Sequence, residues 1–384
     1  MDILFEYQLS EEALEISDPR LKRRKQAFES MAVLLASEND FVLVENEIPK
    51  EHLEYLQKQK IPFCQNILYL EELLSRNDSL ALEEWGRISK LETGIRKIDP
   101  DKLSQSQYLC DKINQAVWKQ SLEEIPIYPK LISSFEALQD FWENSNPKDF
   151  PFVLKGGFGM AGRNQIVVNS AKEGYRLASV EKKLQRFPIV LEKWVGETRF
   201  LDFSSLWEVS KNEIQFGNFQ KQIMTKDGTF KASILSQAVD ETLSRFFPEV
   251  KATLEGVFQI IRAEGMEYSG KLAMDGFLFR EDGKTVLQPM SEINFRNSMG
   301  NFHHQLKKKW NRPKTDSLLG FYSMLDLEQT SLEKFLESRT TMSCIVSPLH
   351  DAKGKKFETV AIYSEPREIS CEELYFQLME TFSK

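Results

Sequence analysis

Glu292, Asn294 and Arg296 occupy alternate positions in the run Ser291-Glu292-Ile293-Asn294-Phe295-Arg296. As a strand, this run puts a carboxylate, an amide and a guanidinium on one face, with Ile293 and Phe295 on the other. Two hard oxygen ligands beside a fixed cation suit a divalent metal held against phosphate or carboxylate. That is what binding a metal-complexed nucleotide next to an anionic substrate requires. Alternation of this kind is also what any half-exposed strand shows, so the upstream residues have to decide.

Those residues include a glycine-rich segment. Lys155-Gly156-Gly157-Phe158-Gly159-Met160-Ala161-Gly162 follows the apolar Phe152-Val153-Leu154 and precedes Gln165-Ile166-Val167-Val168. Glycines let backbone N–H groups approach phosphates, and Lys155 stands where it would offset their charge. A dinucleotide-binding turn would run straight into a helix, and here β-forming residues follow. A protein kinase would carry H-R-D and D-F-G motifs, and the chain has neither. Two readings remain, a strand–lysine–loop–strand hairpin closing over a triphosphate and a plain surface hairpin.

Further elements must position these groups. The pattern predicts a helix over Asp111–Leu122 and another over Phe135–Asn144. Strands are expected over Ile189–Val195, Arg199–Glu208, Glu213–Ile223, Ser269–Arg280 and Thr285–Phe295, with a turn at Glu281–Lys284 and a long helix over Glu249–Glu264. Residues 20–110 alternate helix-like and strand-like stretches: a helix over Leu21–Ser37, a strand at Phe41–Val44, a helix over Glu51–Gln59 and a strand starting at Ile61–Cys64. That reads as a small open α/β sheet. The tail from about Lys314 reads as helices, a hairpin from Cys344 to Tyr363, and a last helix over Cys371–Phe382.

In order along the chain, Asp111-Lys112, Val153-Leu154-Lys155 with its glycines, Leu191-Glu192-Lys193-Trp194-Val195, Asp275-Gly276-Phe277-Leu278-Phe279 and Glu292-Ile293-Asn294 with Arg296 resemble the motifs of the ATP-grasp superfamily over residues 106–310. The resemblance implies an α/β (α+β) ATP-grasp fold behind an N-terminal open α/β domain. The expected domains are 1–105, 106–196 with the phosphate loop, 197–313 with the metal-binding strands, and a C-terminal extension 314–384 that packs on the core or helps form a homodimer.

The resemblance also assigns roles. ATP would be held by Lys112, Lys155, Gly157, Gly159, Gly162, Glu192, Lys193 and Val195, with Glu197 either on the ribose or in solvent. Asp275, Glu292 and Asn294 would hold Mg2+, two ions in all, with Mn2+ able to substitute. Because Pro289 interrupts its strand, Asp275 and Gln288 compete for the first ligand position. Arg296 would act on the transferring phosphoryl group. Lys221 would do the same, or contact the acyl substrate, or be a surface lysine; Arg199 is a similar case. His303 and His304 would serve as base or substrate contact, or simply open a helix.

The implied activity is an ATP- and Mg2+-dependent ligase that activates a small carboxylate as an acyl phosphate and joins it to an amine or thiol. The alternatives are a phosphotransferase acting on a small molecule and a non-catalytic nucleotide-binding protein.

Composition bounds the rest. At 384 residues and a formal charge of −8, with 41% hydrophobic residues and 27 Phe, the chain supports a sizeable core and disfavours broad nucleic-acid binding. No apolar run reaches membrane-spanning length and no signal segment is visible, so no membrane partner is expected. Cys64, Cys110, Cys344 and Cys371 are scattered without zinc spacing and read as free thiols of a cytoplasmic protein.

Overall fold

The computed structural model describes residues 3–6, 26–69, 72, 81–86, 89–92, 95–123, 125–158, 165–176, 187–211, 213–226, 228–312, 314–323, 329–351, 353–357 and 359–382. The chain forms two compact units. One comprises Gln107–Phe230 and Asp240–Phe295; the other comprises Met1–Ser106, Lys231–Val239 and Arg296–Lys384.

The first of these carries the motif residues from Lys112 to Asn294. Helix α1 (Lys112–Gln120) begins at Asp111, whose side chain accepts from the Ile113 N–H at 2.8 Å. Strands β1 (Lys130–Ile132), β2 (Phe152–Lys155), β3 (Gln165–Val168) and β4 (Ile189–Lys193) form an antiparallel sheet in the order β1-β4-β2-β3. Period-two alternation divides its faces. Phe152, Leu154, Ile189 and Leu191 pack with Leu138 and Trp142 of α2 (Phe135–Asn144) in one core. Lys155, Val190 and Glu192 therefore face the other way.

The long strands β5 (Arg199–Val209), β6 (Ile214–Met224), β7 (Gly270–Glu281) and β8 (Lys284–Asn294) are ordered β8-β7-β5-β6, all antiparallel. Phe203, Phe219, Met274 and Ile293 are buried on the side covered by α3 (Phe247–Ala263), which buries Val250, Leu254, Val257, Phe258 and Ile261. Asp282 and Gly283, both with positive φ, make the two-residue β7–β8 turn, as hairpin twist requires.

Pro289 leaves a visible mark on this ladder. Asp275 pairs with Glu292 and Phe277 with Gln288, so Pro289, Met290 and Ser291 all lie opposite Gly276. The bulge presses its backbone onto that glycine. A Cβ there would sit 2.7 Å from the Gln288 carbonyl oxygen and 2.9 Å from that of Pro289. Gly276→Ala is therefore expected to destabilise the protein by about 1–3 kcal/mol, read as a lower urea midpoint at unchanged slope. An unchanged midpoint would mean that the bulge yields freely.

The second unit holds a parallel sheet ordered Ile67–Tyr69, Phe41–Val44, Ile3–Glu6, Ala81–Glu84, which is the open α/β arrangement expected for the N-terminal part. It also holds antiparallel strands in the order Phe230–Leu235, Ser317–Ser323, Thr359–Pro366, Thr340–Ile345. Three local expectations are corrected. Ser317–Ser323 is a strand rather than helix, because it lies between two paired strands and buries both faces. Residues 61–66 are irregular, and the strand begins at Ile67. Within the described part of Leu21–Ser37 the helix is interrupted at Ser30 and Met31. Among the described residues no helix is long and apolar enough to cross a membrane, and the four cysteines form no disulfide.

Candidate active site

The candidate site is built from α1 upward. Lys112, Gln115 and Lys119 recur at the spacing of one helix face. Gln115 fastens that face to β8: its Nε2 donates to the Ile293 carbonyl at 2.7 Å, and its Oε1 accepts from the Ile293 N–H at 2.8 Å. A buried side-chain amide thus takes the place of a neighbouring strand. Lys112 then forms an ion pair with Glu292. The Lys112 N–H donates to the Gly157 carbonyl at 2.8 Å, so the start of the glycine-rich segment is tied to the same helix end. At Gly157 an added Cβ would lie 2.7 Å from Asp111 Oδ1, so a side chain there would push on the carboxylate that caps α1. Gly159 and Gly162 lie outside the described residues.

Glu192 sits between two lysines. Its Oε1 is 2.7 Å from Lys119 Nζ, and its Oε2 forms an ion pair with Lys155. Lys119 Nζ also donates to the Ser291 carbonyl at 2.6 Å. Glu192 is 6% exposed and Lys119 3%. Burial alone would raise the Glu192 carboxyl, but the charges and hydrogen bonds of Lys119 and Lys155 prevail and hold it at about 2. Burial in turn lowers the Lys119 ammonium, against the pull of Glu192.

These groups edge a partly open pocket whose apolar walls include Ile127, Val153, Val195 and Phe277 and whose polar lining includes Lys155, Glu192, Lys193, Arg199, Gln288 and Ser291. The Arg199 guanidinium stacks 4.0 Å from the Phe277 ring centroid and pairs with Asp202. Burial lowers it to about 10, opposed by the charges of Asp275 and Glu192. Gln288 has its amide committed to the backbone, accepting from the Ile127 N–H at 3.0 Å and donating to the Met290 carbonyl at 2.8 Å.

Two residues along β7 from Phe277, Asp275 faces Glu292 across the ladder. Gln222 Nε2 donates to Asp275 Oδ1 at 2.9 Å, and Asn294 Nδ2 donates to Asp275 Oδ2 at 3.2 Å. Burial first, and then the Glu292 charge, raise Asp275 to about 7; hydrogen bonds from Ser204 and Gln222 and the charge of Lys112 act in the other direction. Two facing carboxylates that resist joint ionisation are a donor set that a divalent cation would relieve. Asp275, Glu292 and the oxygen of Asn294 fit Mg2+, which takes few protein ligands and keeps oxygens of water and substrate. Among the described residues no group of three or more His, Cys, Asp or Glu side chains could hold a metal ion.

The fold thus brings Lys112, Lys155, Gly157, Glu192, Val195, Asp275, Glu292 and Asn294 into one unit around this face. Lys193 is more peripheral, 3.8 Å from Glu281. Glu197 is exposed in the turn after β4 and is not part of the cavity wall. Lys221 pairs in register with the buried Phe203, so it projects to the face of β6 opposite that of Gln222 and Asp275. Arg296 and the two histidines belong to the other unit. There Arg296 donates to the Asn297 carbonyl at 3.3 Å. His303 is fully buried, with Nδ1 2.9 Å from Ser233 Oγ and Nε2 3.0 Å from Ser317 Oγ, a core histidine with both ring nitrogens engaged. His304 is half-buried, and burial lowers its imidazole. Sequence reasoning missed Lys119; the available signal was its place on the Lys112–Gln115 stripe of α1.

No family model matches this chain, and none of the curated proteins matches it. Solved structures are similar along nearly its whole length. An N5-carboxyaminoimidazole synthetase from Staphylococcus aureus, complexed with ADP, superposes with a TM-score of 0.55 at 13% identity, covering 99% of this chain and 97% of that one. An N5-carboxyaminoimidazole ribonucleotide synthetase from Thermus thermophilus gives 0.54 at 14%, covering 100% and 99%. A phosphoribosylamine–glycine ligase from Thermotoga maritima gives 0.56 at 11%, covering 98% and 96%.

Proposed function

We propose that this chain, whose fold is the ATP-grasp fold, is an ATP- and Mg2+-dependent ligase that joins a small carboxylate to an amine or thiol. The observation that carries the reading is the sequence of environments along one face: a pocket with apolar walls at Phe277 and Val195 and Glu192 at its edge, then Lys155, then Lys112 with the carboxylates Glu292 and Asp275. A purine, a run of phosphates and a phosphate-bound cation need those surroundings in that order. The similar solved proteins are a synthetase complexed with ADP and a ligase, which supports the same assignment.

In this reading the base enters the cavity, with Glu192 beside its amino group and the backbone of Lys193 and Val195 along its ring edge. Lys155 and Lys112 offset phosphate charge. Asp275, Glu292 and Asn294 hold Mg2+, which when bound neutralises charge developing on the phosphates. A substrate carboxylate oxygen attacks the γ-phosphorus and ADP departs. The amine nitrogen or thiol sulfur then attacks the acyl carbon, phosphate leaves, and the nucleophile's proton is lost. Proximity and fixed charge supply most of this catalysis, and no nucleophilic side chain is needed.

The test is to incubate the protein with ATP, Mg2+ and pooled carboxylates and amines, and to follow ADP and free phosphate. Release of both that depends on a pool is the expected result. Phosphate retained on a product would instead identify a phosphotransferase. Absence of both turnover and ATP binding would remove the reading.

A further inference from the structure

Lys119 has no part in the scheme above. The structure nevertheless gives it two strong contacts, to Glu192 Oε1 at 2.7 Å and to the Ser291 carbonyl at 2.6 Å, with 3% of the residue exposed. Lys155 holds the other oxygen of the same carboxylate, from the strand end that leads into Gly156. The scheme requires Lys155 to serve phosphate. A lysine that turns to phosphate leaves Glu192, and a buried carboxylate without a counter-charge is strongly unfavourable.

We propose that Lys119 is a positioning residue that stays on Glu192 throughout nucleotide binding, keeping it ionised and oriented while Lys155 transfers to the phosphates. The inference rests on the ATP reading and adds a division of labour between two lysines that share one carboxylate. The Ser291 carbonyl gives Lys119 an anchor on β8 that does not depend on the nucleotide. The charged groups acting around Glu192 are Lys119 from α1, Lys155 from β2 and Arg199 from β5. Glu292 on β8 acts in turn on Lys119. With Lys119 and Lys155 both present, Glu192 is held far below neutrality. It then has no proton to gain or lose on binding while one lysine remains.

The experiment is isothermal titration calorimetry of the full chain with the β,γ-methylene analogue of ATP and Mg2+. It is run near neutral pH in two buffers of different ionisation enthalpy, so that proton uptake is counted along with affinity. Wild type supplies the reference for protons exchanged by the nucleotide and by other groups. Lys119→Met is expected to weaken binding about tenfold or more. It is also expected to take up about one-half to one proton more than wild type, because the departing Lys155 leaves a buried carboxyl that protonates.

Weaker binding with the wild-type proton count would mark Lys119 as merely structural and overturn the proposal, as would unchanged binding. If Lys119→Met fails to fold, Lys155→Met carries the test. Lys119 then stays with Glu192 in both states, so binding weakens without additional proton uptake; extra uptake in that variant overturns the proposal. Failure of wild type itself to bind the nucleotide would instead overturn the ATP reading.

Discussion

Glu192→Ala is expected to lose about 3–5 kcal/mol of folding stability, because it strands two lysines in a buried site. Lys119 is almost wholly enclosed, and Lys155 has 12% side-chain exposure, so water does little to compensate either charge. The deficit should depend on pH. The Glu192 carboxyl is held at about 2 in the folded protein, against about 4.3 for an unfolded glutamate. A depressed carboxyl contributes stability that is fully present above the unfolded value and is lost as pH falls through the folded one. The gap between wild type and variant should therefore be widest near neutral pH and should narrow on acidification from about 4.3 toward 2. Urea melts across that range check both parts. Equal stability at neutral pH would show that the lysine–glutamate–lysine arrangement is energetically idle.

Glu292→Gln should separate function from folding. The glutamine keeps the shape and an oxygen for Lys112, and it removes the charge that opposes ionisation of Asp275. Stability is expected to stay the same or rise slightly. Turnover of ATP in whichever substrate pool is active is expected to fall about 10²–10³-fold, the usual cost of removing one preorganised charge from a transition-state site. Calorimetric melting and ADP release measure the two sides. A variant with full turnover would take Glu292 out of the metal site, and one that loses stability and turnover together would make it structural.

Both predictions concern residues that the sequence marks and the fold completes. Local chemistry was legible: a helix from Asp111, glycines after Lys155, Asp282-Gly283 as a tight turn, and alternation along Glu292-Ile293-Asn294. Each of these depends on neighbours within a few positions, where backbone sterics and side-chain spacing dominate. The strand at Phe41–Val44 and the hairpin strands around the site followed for the same reason.

What only the tertiary structure decided is which polar side chains meet. Lys119 looks like an ordinary helical lysine until α1 is laid on β8 and β4 brings up Glu192. Lys221 sits in a polar stretch, yet the pairing of β5 with β6 sends it to the side of Phe203. Ser317–Ser323 shows no alternation, because a strand buried on both faces reads as an apolar run. Pro289 announces an interruption, but only the ladder shows that three residues crowd one glycine and that Asp275 still meets Glu292. By itself the sequence determined the chemical groups of the site and the segments that carry them. Packing and strand register, which couple residues far apart in the chain, determined which of those groups share a face.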